Sequence, residues 1–201
     1  MAPQRKSFPR LFLARTDPFR VSGERVYLRI PERGDWEAWA NLRGRSRNFL
    51  EPWEPSWPAD ALSRLSFRSR VTRYAEDWRS DQAYNFFIFS HGDVLVGGVS
   101  LTNVRRGVSE TASLGYWMGE PFARQGLMSA ALPLVLDFSF DRLRLHRVEA
   151  ACLPSNIPSR ALLVRTGFQQ EGYARQYLCI AGKWQDHLLF AVLQEDWRGL
   201  S

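Results

Sequence analysis

An α/β (α+β) chain, one mixed sheet with helices packed on its faces, is what the sequence predicts, on three observations. Short apolar runs with strand-like alternation recur along the chain. Between some of them, apolar residues fall at helical spacing. The order leads from neighbouring strands into strand, helix, strand, helix, strand, strand, which a mixed sheet accommodates.

The elements follow in turn. "ERVYLRI" from Glu24 alternates as a strand, and "ERGDWEAWANLRGR" puts Trp36, Trp39 and Leu42 at helical spacing. "LEPWEPSWPAD" is a loop by its prolines at 52, 55 and 58. "ADALSRLSFRSRVTRYAEDW" is a second helix with Leu62, Leu65, Phe67, Val71 and Tyr74 near one face. "YNFFIFS" and "VLVGGVSLTNV" are strands joined by "HGD", where Gly92 and Asp93 suit a tight hairpin. "ASLGYWMG" is the next strand, and the helix that begins in "PFARQGLMSAAL" runs to Phe138. After it "RVEAACLP" is a strand, "SRALLVRTGF" a helix, and "YARQYLCIAG" and "HLLFAVL" two more strands. No internal repeat or low-complexity segment interrupts them.

A chain of 201 residues suits one domain. Its 45% hydrophobic content, with eight Trp and 13 Phe, excludes disorder of the whole. Cys152 and Cys179 lie in strand-like runs without CxxC spacing, so neither zinc nor a disulfide framework is indicated, and a cytoplasmic protein fits. His91, His146 and His187 form no metal-ligand spacing. The apolar "LFLA" near the start is too short for a signal peptide or a membrane span. Of the net charge of +6, +4 falls in residues 1–20, where Arg5, Lys6, Arg10, Arg15 and Arg20 face only Asp17. Residues 1–20 therefore read as a basic arm, either solvated and poorly ordered or in weak contact with RNA or another anionic surface, ahead of a single domain at 21–201.

The stretch Pro121–Leu132 carries the first chemical signal. A helix that starts directly after a strand aims its unpaired N–H groups and the positive end of its dipole beyond the strand, which makes an anion site. Gly126 allows close approach of an oxygen, Arg124 adds charge, and Gln125 and Ser129 add donors. No Walker lysine follows and no second glycine makes GxGxxG, so the loop alone is also compatible with a plain helix start. A second strand-to-helix unit follows at Cys152–Phe168, with Asn156 and Ser159 at its turn. Two parallel strands, each opening into a helix, splay a groove between their ends, in which a long thin cofactor fits.

With these residues in view, "ARQGLMS" resembles the acyl-CoA pyrophosphate loop of the GCN5-related N-acetyltransferase superfamily. "NIPSRALLVRTGFQQEGYARQYLCIAGKWQDH" is similar to the corresponding segment of its RimJ/RimL-type, ribosomal-protein-alanine branch, "FLEPWEP" and "SLTNVRRG" resemble the RimJ-like half of it, and with "LGYWMG" the resemblance covers most of residues 24–197. The resemblance implies a mostly antiparallel twisted sheet of about seven strands flanked by about four helices, splayed between strands four and five. It also implies acetyl-CoA as cofactor, held by Trp117, Met118, Gly119, Arg124, Gln125, Gly126, Leu127, Met128, Ser129 and Asn156. The chain departs from the superfamily pattern at Ala123, which removes one side-chain donor, and at Pro133, which is expected to kink the cofactor helix.

What the resemblance implies chemically is direct acetyl transfer to an amine in a ternary complex. A backbone N–H within Trp117–Gly119 faces the thioester carbonyl. Ser159 is the donor to the leaving sulfur, and Asn156 holds the pantetheine arm, although both residue types are also ordinary helix caps. Glu54 is the candidate catalytic base or ammonium anchor, against the plainer reading of a solvated loop carboxylate. Glu110 and Glu171 are candidates by type only, Ser113 stands where relatives often carry a glutamate, and water is a further option. Tyr173 and Tyr177 are of the right type to donate a proton but suit a sheet surface, and Asp186 and His187 suit a role in pinning the last strands. The implied acceptor is a protein N-terminal α-amine, with alanine of a ribosomal protein foremost. A small-molecule amine acetyltransferase and a non-catalytic acyl-CoA-binding or ribosome-associated regulator are the alternatives.

Overall fold

Residues 19–198 are described by the computed structural model, so the basic arm expected at 1–20 lies almost wholly outside the described residues. In chain order the strands are β1 (Val21–Ser22), β2 (Val26–Arg29), β3 (Tyr84–Ser90), β4 (Val94–Arg105), β5 (Thr111–Met118), β6 (Arg147–Cys152), β7 (Gln169–Ile180) and β8 (Lys183–Leu193). The helices are α1 (Trp36–Arg45), α2 (Arg47–Leu50), α3 (Arg64–Arg79), α4 (Leu127–Asp137), α5 (Ile157–Arg165) and α6 (Gln194–Arg198). All eight strands form one sheet in the order β1-β2-β3-β4-β5-β6-β8-β7, in which only β5 and β6 run parallel.

Strand alternation builds two cores. Val26, Leu28, Phe86 and Ile88 face the larger one, with α4 and α5, while Tyr27, Phe87 and Phe89 face the smaller one, with Trp39 and Leu42 of α1 and Phe67 of α3. Because both faces are covered, a run such as "FFIF" is apolar throughout. The large core binds α4 tightly: Ala131, Leu132, Val135 and Leu136 are fully buried, and Pro133 does not end the helix, which runs into a π turn at Phe138–Arg142.

The structure has more elements than the sequence shows. β1 and the four- and five-residue α2 and α6 are too short to display a period. α3 begins at Arg64 and not at Ala59, because the Ser63 hydroxyl accepts the Ser66 N–H at 3.1 Å and fixes the start. Leu65, expected on the core face, is 74% exposed. It lies two residues from the anchor Phe67, a rotation of about 200° on a helix.

The feature that positions the site is the parting of β5 and β6. Their register runs from Thr111/Arg147 to Leu114/Ala150 and stops there, although β5 continues to Met118 and β6 to Cys152. β4 follows β5 as far as Met118, and β8 follows β6 as far as Cys152, so each strand leaves with its antiparallel partner and a V opens between them. This is the splay expected between the fourth and fifth strands, β1 having shifted the count by one.

Close packing of β4 against β5 supports one wall of the V. A Cβ on Gly98 would stand 2.4 Å from Nε1 of Trp117 and 3.3 Å from the Phe86 carbonyl oxygen. Gly98→Ala must displace the indole, and it is expected to cost about 1–3 kcal/mol. At ~2–4 °C per kcal/mol for a chain of this size, thermal unfolding will register the loss, and an unchanged Tm means that the indole has another place to go.

Candidate active site

The loop ahead of α4 has the conformation an anion site needs. Gly126 is the N-cap residue, at φ +75°, and Arg124 also lies in the left-handed region at φ +60°. Left-handed backbone next to a helix start turns successive N–H groups to one side. No side chain caps α4, and Ala130, which donates to the Gly126 carbonyl at 3.0 Å, is its first residue with a paired N–H. The N–H groups of Leu127, Met128 and Ser129 thus have no partner among the described residues, while the buried side chains of Leu127 and Met128 fix the turn from below. Arg124 and Ser129 are exposed at the mouth, whereas the Gln125 amide is turned back to the Pro121 carbonyl at 2.8 Å. A cation that the sequence reading misses completes the rim: Arg25 donates to the Gln125 carbonyl at 2.9 Å, and its Nη1 is 2.9 Å from where a Cβ on Gly126 would stand.

In the V itself, Ser159 of α5 meets Tyr116 of β5. Asn156 caps the helix, its Oδ1 accepting the Ser159 N–H at 3.1 Å, and keeps its amide nitrogen as a donor. The Ser159 hydroxyl sits 2.7 Å from the hydroxyl of Tyr116, across the gap where the strands have parted. Burial pushes the Tyr116 phenol up to about 12, against a smaller lowering by the Ser159 hydrogen bond, so Tyr116 is a donor at neutral pH. Burial likewise raises the neighbouring Cys152 thiol and keeps it neutral.

Backbone direction narrows the choice among Trp117, Met118 and Gly119. The Gly119 N–H is given to the Val96 carbonyl at 2.9 Å. N–H groups alternate in direction along a strand, so Trp117 also donates toward β4, and Met118 points into the V.

On the other side of β5 lies a cleft of about 290 Å³, between α1, α3 and the sheet, walled by Trp39, Arg70, Asn85, Gly98 and Tyr116. Glu54 lines it too, but its carboxylate is engaged: Arg43 donates to both oxygens at 2.8 and 2.6 Å, and Trp57 Nε1 donates at 2.9 Å. Arg43 in turn lies over the Trp57 and Trp117 rings. The Glu54 carbonyl accepts the Ala181 N–H from the β7–β8 turn at 2.9 Å, which ties the loop to the hairpin. Glu54 therefore lines this cleft as part of a closed ion pair.

The other carboxylates are equally committed. Glu110 is bonded to Gly107 N–H and Arg106, and Glu171 to Arg147. The Arg147 guanidinium holds the Glu171 carboxyl below its ordinary range. Tyr173 and the Gln176 N–H both donate to Asp186 at the irregular part of the β7–β8 ladder. Among the described residues no group of three or more His, Cys, Asp or Glu is placed to hold a metal, and no helix is long and apolar enough to cross a membrane.

A V between parallel strands, entered by an uncapped helix with a left-handed glycine, defines a class of acyl-group transferases. Residues 25–169 match the family described as acetyltransferase (GNAT) domain, and the chain belongs to that family. Probable N-acetyltransferase YjcK of Bacillus subtilis (strain 168) is 36% identical over 177 residues, which is 88% of this chain and 98% of that protein. The ribosomal protein uS5 alanine N-acetyltransferase of Escherichia coli (strain K12) is 33% identical over 181 residues, 89% of this chain and 92% of the relative. Among solved structures, Mycobacterium smegmatis RimJ in complex with CoA-disulfide superposes with a TM-score of 0.82 at 34% identity, covering 89% of this chain and 86% of that one.

Proposed function

We propose that this acetyl-CoA-dependent N-acetyltransferase modifies the N-terminal α-amine of a protein, with the alanine of a ribosomal protein as its substrate in the cytoplasm. The observation that carries the reading is the meeting of the two sites at β5. Gly115–Trp117 line the acceptor cleft, and Tyr116 also reaches the V. The relatives named for ribosomal-protein alanine supply the acceptor.

The residues present fit the cofactor. The unpaired N–H groups of Leu127, Met128 and Ser129, with Arg124 and Arg25 at the rim, suit a pyrophosphate, and the Asn156 amide nitrogen suits the pantetheine arm. Acetyl-CoA supplies an acetyl group activated as a thioester, whose oxygen gathers charge during attack and whose sulfur leaves. The Met118 N–H is aimed to donate to that oxygen. Ser159, backed by the Tyr116 phenol, donates to the sulfur. The amine loses a proton and the sulfur gains one, so no other reactant is needed.

No free base is required on the acceptor side. An α-amine with a pKa of about 7.7–8.0 is roughly a tenth neutral at pH 7, a deficit of about 1 kcal/mol, whereas a lysine near 10.4 lacks about 4.6 kcal/mol. Glu54, locked on Arg43, holds the cleft wall and leaves deprotonation to water. For an alanine-led peptide kcat/KM is then expected to rise with pH up to about 8 and level off, following the neutral amine. A profile that levels off well below the amine's own pKa would instead mean that a group of the protein takes the proton. Mass spectrometry of Ala-, Ser- and Thr-led peptides beside polyamines, aminoglycosides and amino-acid derivatives tests the acceptor, and turnover confined to the small amines would overturn it.

A further inference from the structure

The acceptor cleft contains a cation without a counter-ion. Its lining carries two guanidinium groups, Arg43 and Arg70, and one carboxylate, Glu54. Glu54 is fully used by Arg43 and Trp57. Arg70 has no ion-pair partner among the described residues. Its Nε is buried without a hydrogen bond, and its single polar contact is a marginal 3.5 Å from Nη1 to the Tyr74 hydroxyl. Arg43 Nε is also unpaired, but that side chain already spends both terminal nitrogens on a carboxylate.

The position of Arg70 is imposed by its helix. Phe67, fully buried, anchors α3 in the smaller core, and Arg70 and Tyr74, at three and seven residues beyond it, emerge on the neighbouring face into the cleft. The guanidinium carbon lies 5.3 Å from the centre of the Trp39 ring, within cation-π range. A partly buried guanidinium with unused donors costs desolvation that the Trp39 ring and the long Tyr74 contact return only in part among the described residues. A carboxylate from outside would return it, because its two oxygens match the planar fork.

Resting on the reading of a protein N-terminus as acceptor, we infer that Arg70 selects acceptors with an acidic side chain among the residues that follow the terminal amine. The group is a specificity determinant: it reads a carboxylate in the same cleft that delivers the amine to β5. Neutral or basic segments leave Arg70 unpaired and bind more weakly.

The test uses alanine-led peptides with Glu at position 2, 3 or 4, each paired with its Gln counterpart, against the full chain and the variants Arg70→Met and Arg70→Lys. Met keeps an apolar stem on Trp39 and removes the charge, while Lys keeps the charge and removes the fork. For at least one position the wild type is expected to favour Glu over Gln by about 10- to 100-fold in kcat/KM, carried in KM, as for a hydrogen bond to a charged group. Arg70→Met should abolish that preference and Arg70→Lys retain part of it, with acetyl-CoA affinity by calorimetry unchanged in both. Equal rates on Glu and Gln peptides at all three positions overturn the inference and leave N-terminal acetylation standing. If Arg70→Met melts early, the wild-type comparison and Arg70→Lys still decide. If no peptide reacts and free amino acids are acetylated in preference to their amides, the protein acceptor falls, and the acidic side chain with it, in favour of an α-carboxylate. No reaction with any amine overturns both.

Discussion

Gly126→Asp is expected to eliminate acetyl-CoA binding, with a loss of affinity beyond about a hundredfold. Three effects combine. The position has φ +75°, where an L side chain is disfavoured by roughly 1–2 kcal/mol, and the new Cβ meets the tip of Arg25 at 2.9 Å. Larger than either is the charge. A carboxylate would sit where three unpaired N–H groups converge, and against a phosphate about 4 Å away it costs ~4 kcal/mol at an effective dielectric of about 20. Aspartate tolerates left-handed backbone better than most residues, and Arg25 is at hand to pair with it, so the variant should fold. Gly126→Ala separates the causes, since it carries the backbone cost without the charge and should lower Tm while keeping most of the affinity. Titration calorimetry with CoA reads both variants. Undiminished binding in Gly126→Asp would move the cofactor away from this helix start.

Much of this loop is visible in local sequence, and much of its surroundings is not. A lone glycine after a strand and ahead of an apolar helical run marks Gly126, because both the turn and the helix are properties of adjacent residues. Arg25 lies 100 residues away from its contact at Gln125, in the bend just before β2, whose alternation says nothing of what the residue ahead of it will touch. The same holds for Tyr116 and Ser159, 43 residues apart, which meet only because β5 and β6 part after Leu114 and Ala150. "LGYWMG" reveals a strand, but whether its tyrosine faces a gap or a neighbour depends on pairings the segment does not contain. Glu54 shows the converse. A carboxylate in a proline-rich loop invites a role in proton transfer, and its engagement by Arg43 becomes evident only when α1 is laid beside that loop. Two-state periodicity recovers the sheet and the major helices, while the uncompensated charge of Arg70 emerges from the inventory of ion pairs in three dimensions.

Ser159→Ala is expected to lower kcat by about a hundredfold, and Tyr116→Phe by about tenfold, within the range for a positioned proton donor. The Tyr116 phenol, held at about 12, is unionised through the working range of pH. An alkyl thiol of the cysteine type titrates near 8.5, so complete proton transfer from a group at about 12 to the departing sulfur is uphill by roughly 5 kcal/mol. The favourable arrangement is a chain of hydrogen bonds in which Tyr116 donates to Ser159 and Ser159 donates to the sulfur, each bond polarising the next as charge develops. Such a chain makes the two substitutions interdependent. With Ser159→Ala in place, the Tyr116 hydroxyl has lost its acceptor, and adding Tyr116→Phe should change kcat by less than about twofold, well short of the product of the single effects. Acetyl-CoA affinity should be preserved in all three proteins, because neither hydroxyl belongs to the loop at Arg124–Ser129. A double-mutant cycle on kcat at saturating peptide, with calorimetry for the cofactor, makes the comparison. Additive losses would mean that Tyr116 and Ser159 act on separate groups, and loss of cofactor affinity in Ser159→Ala would place that hydroxyl on the pantetheine arm instead of at the sulfur.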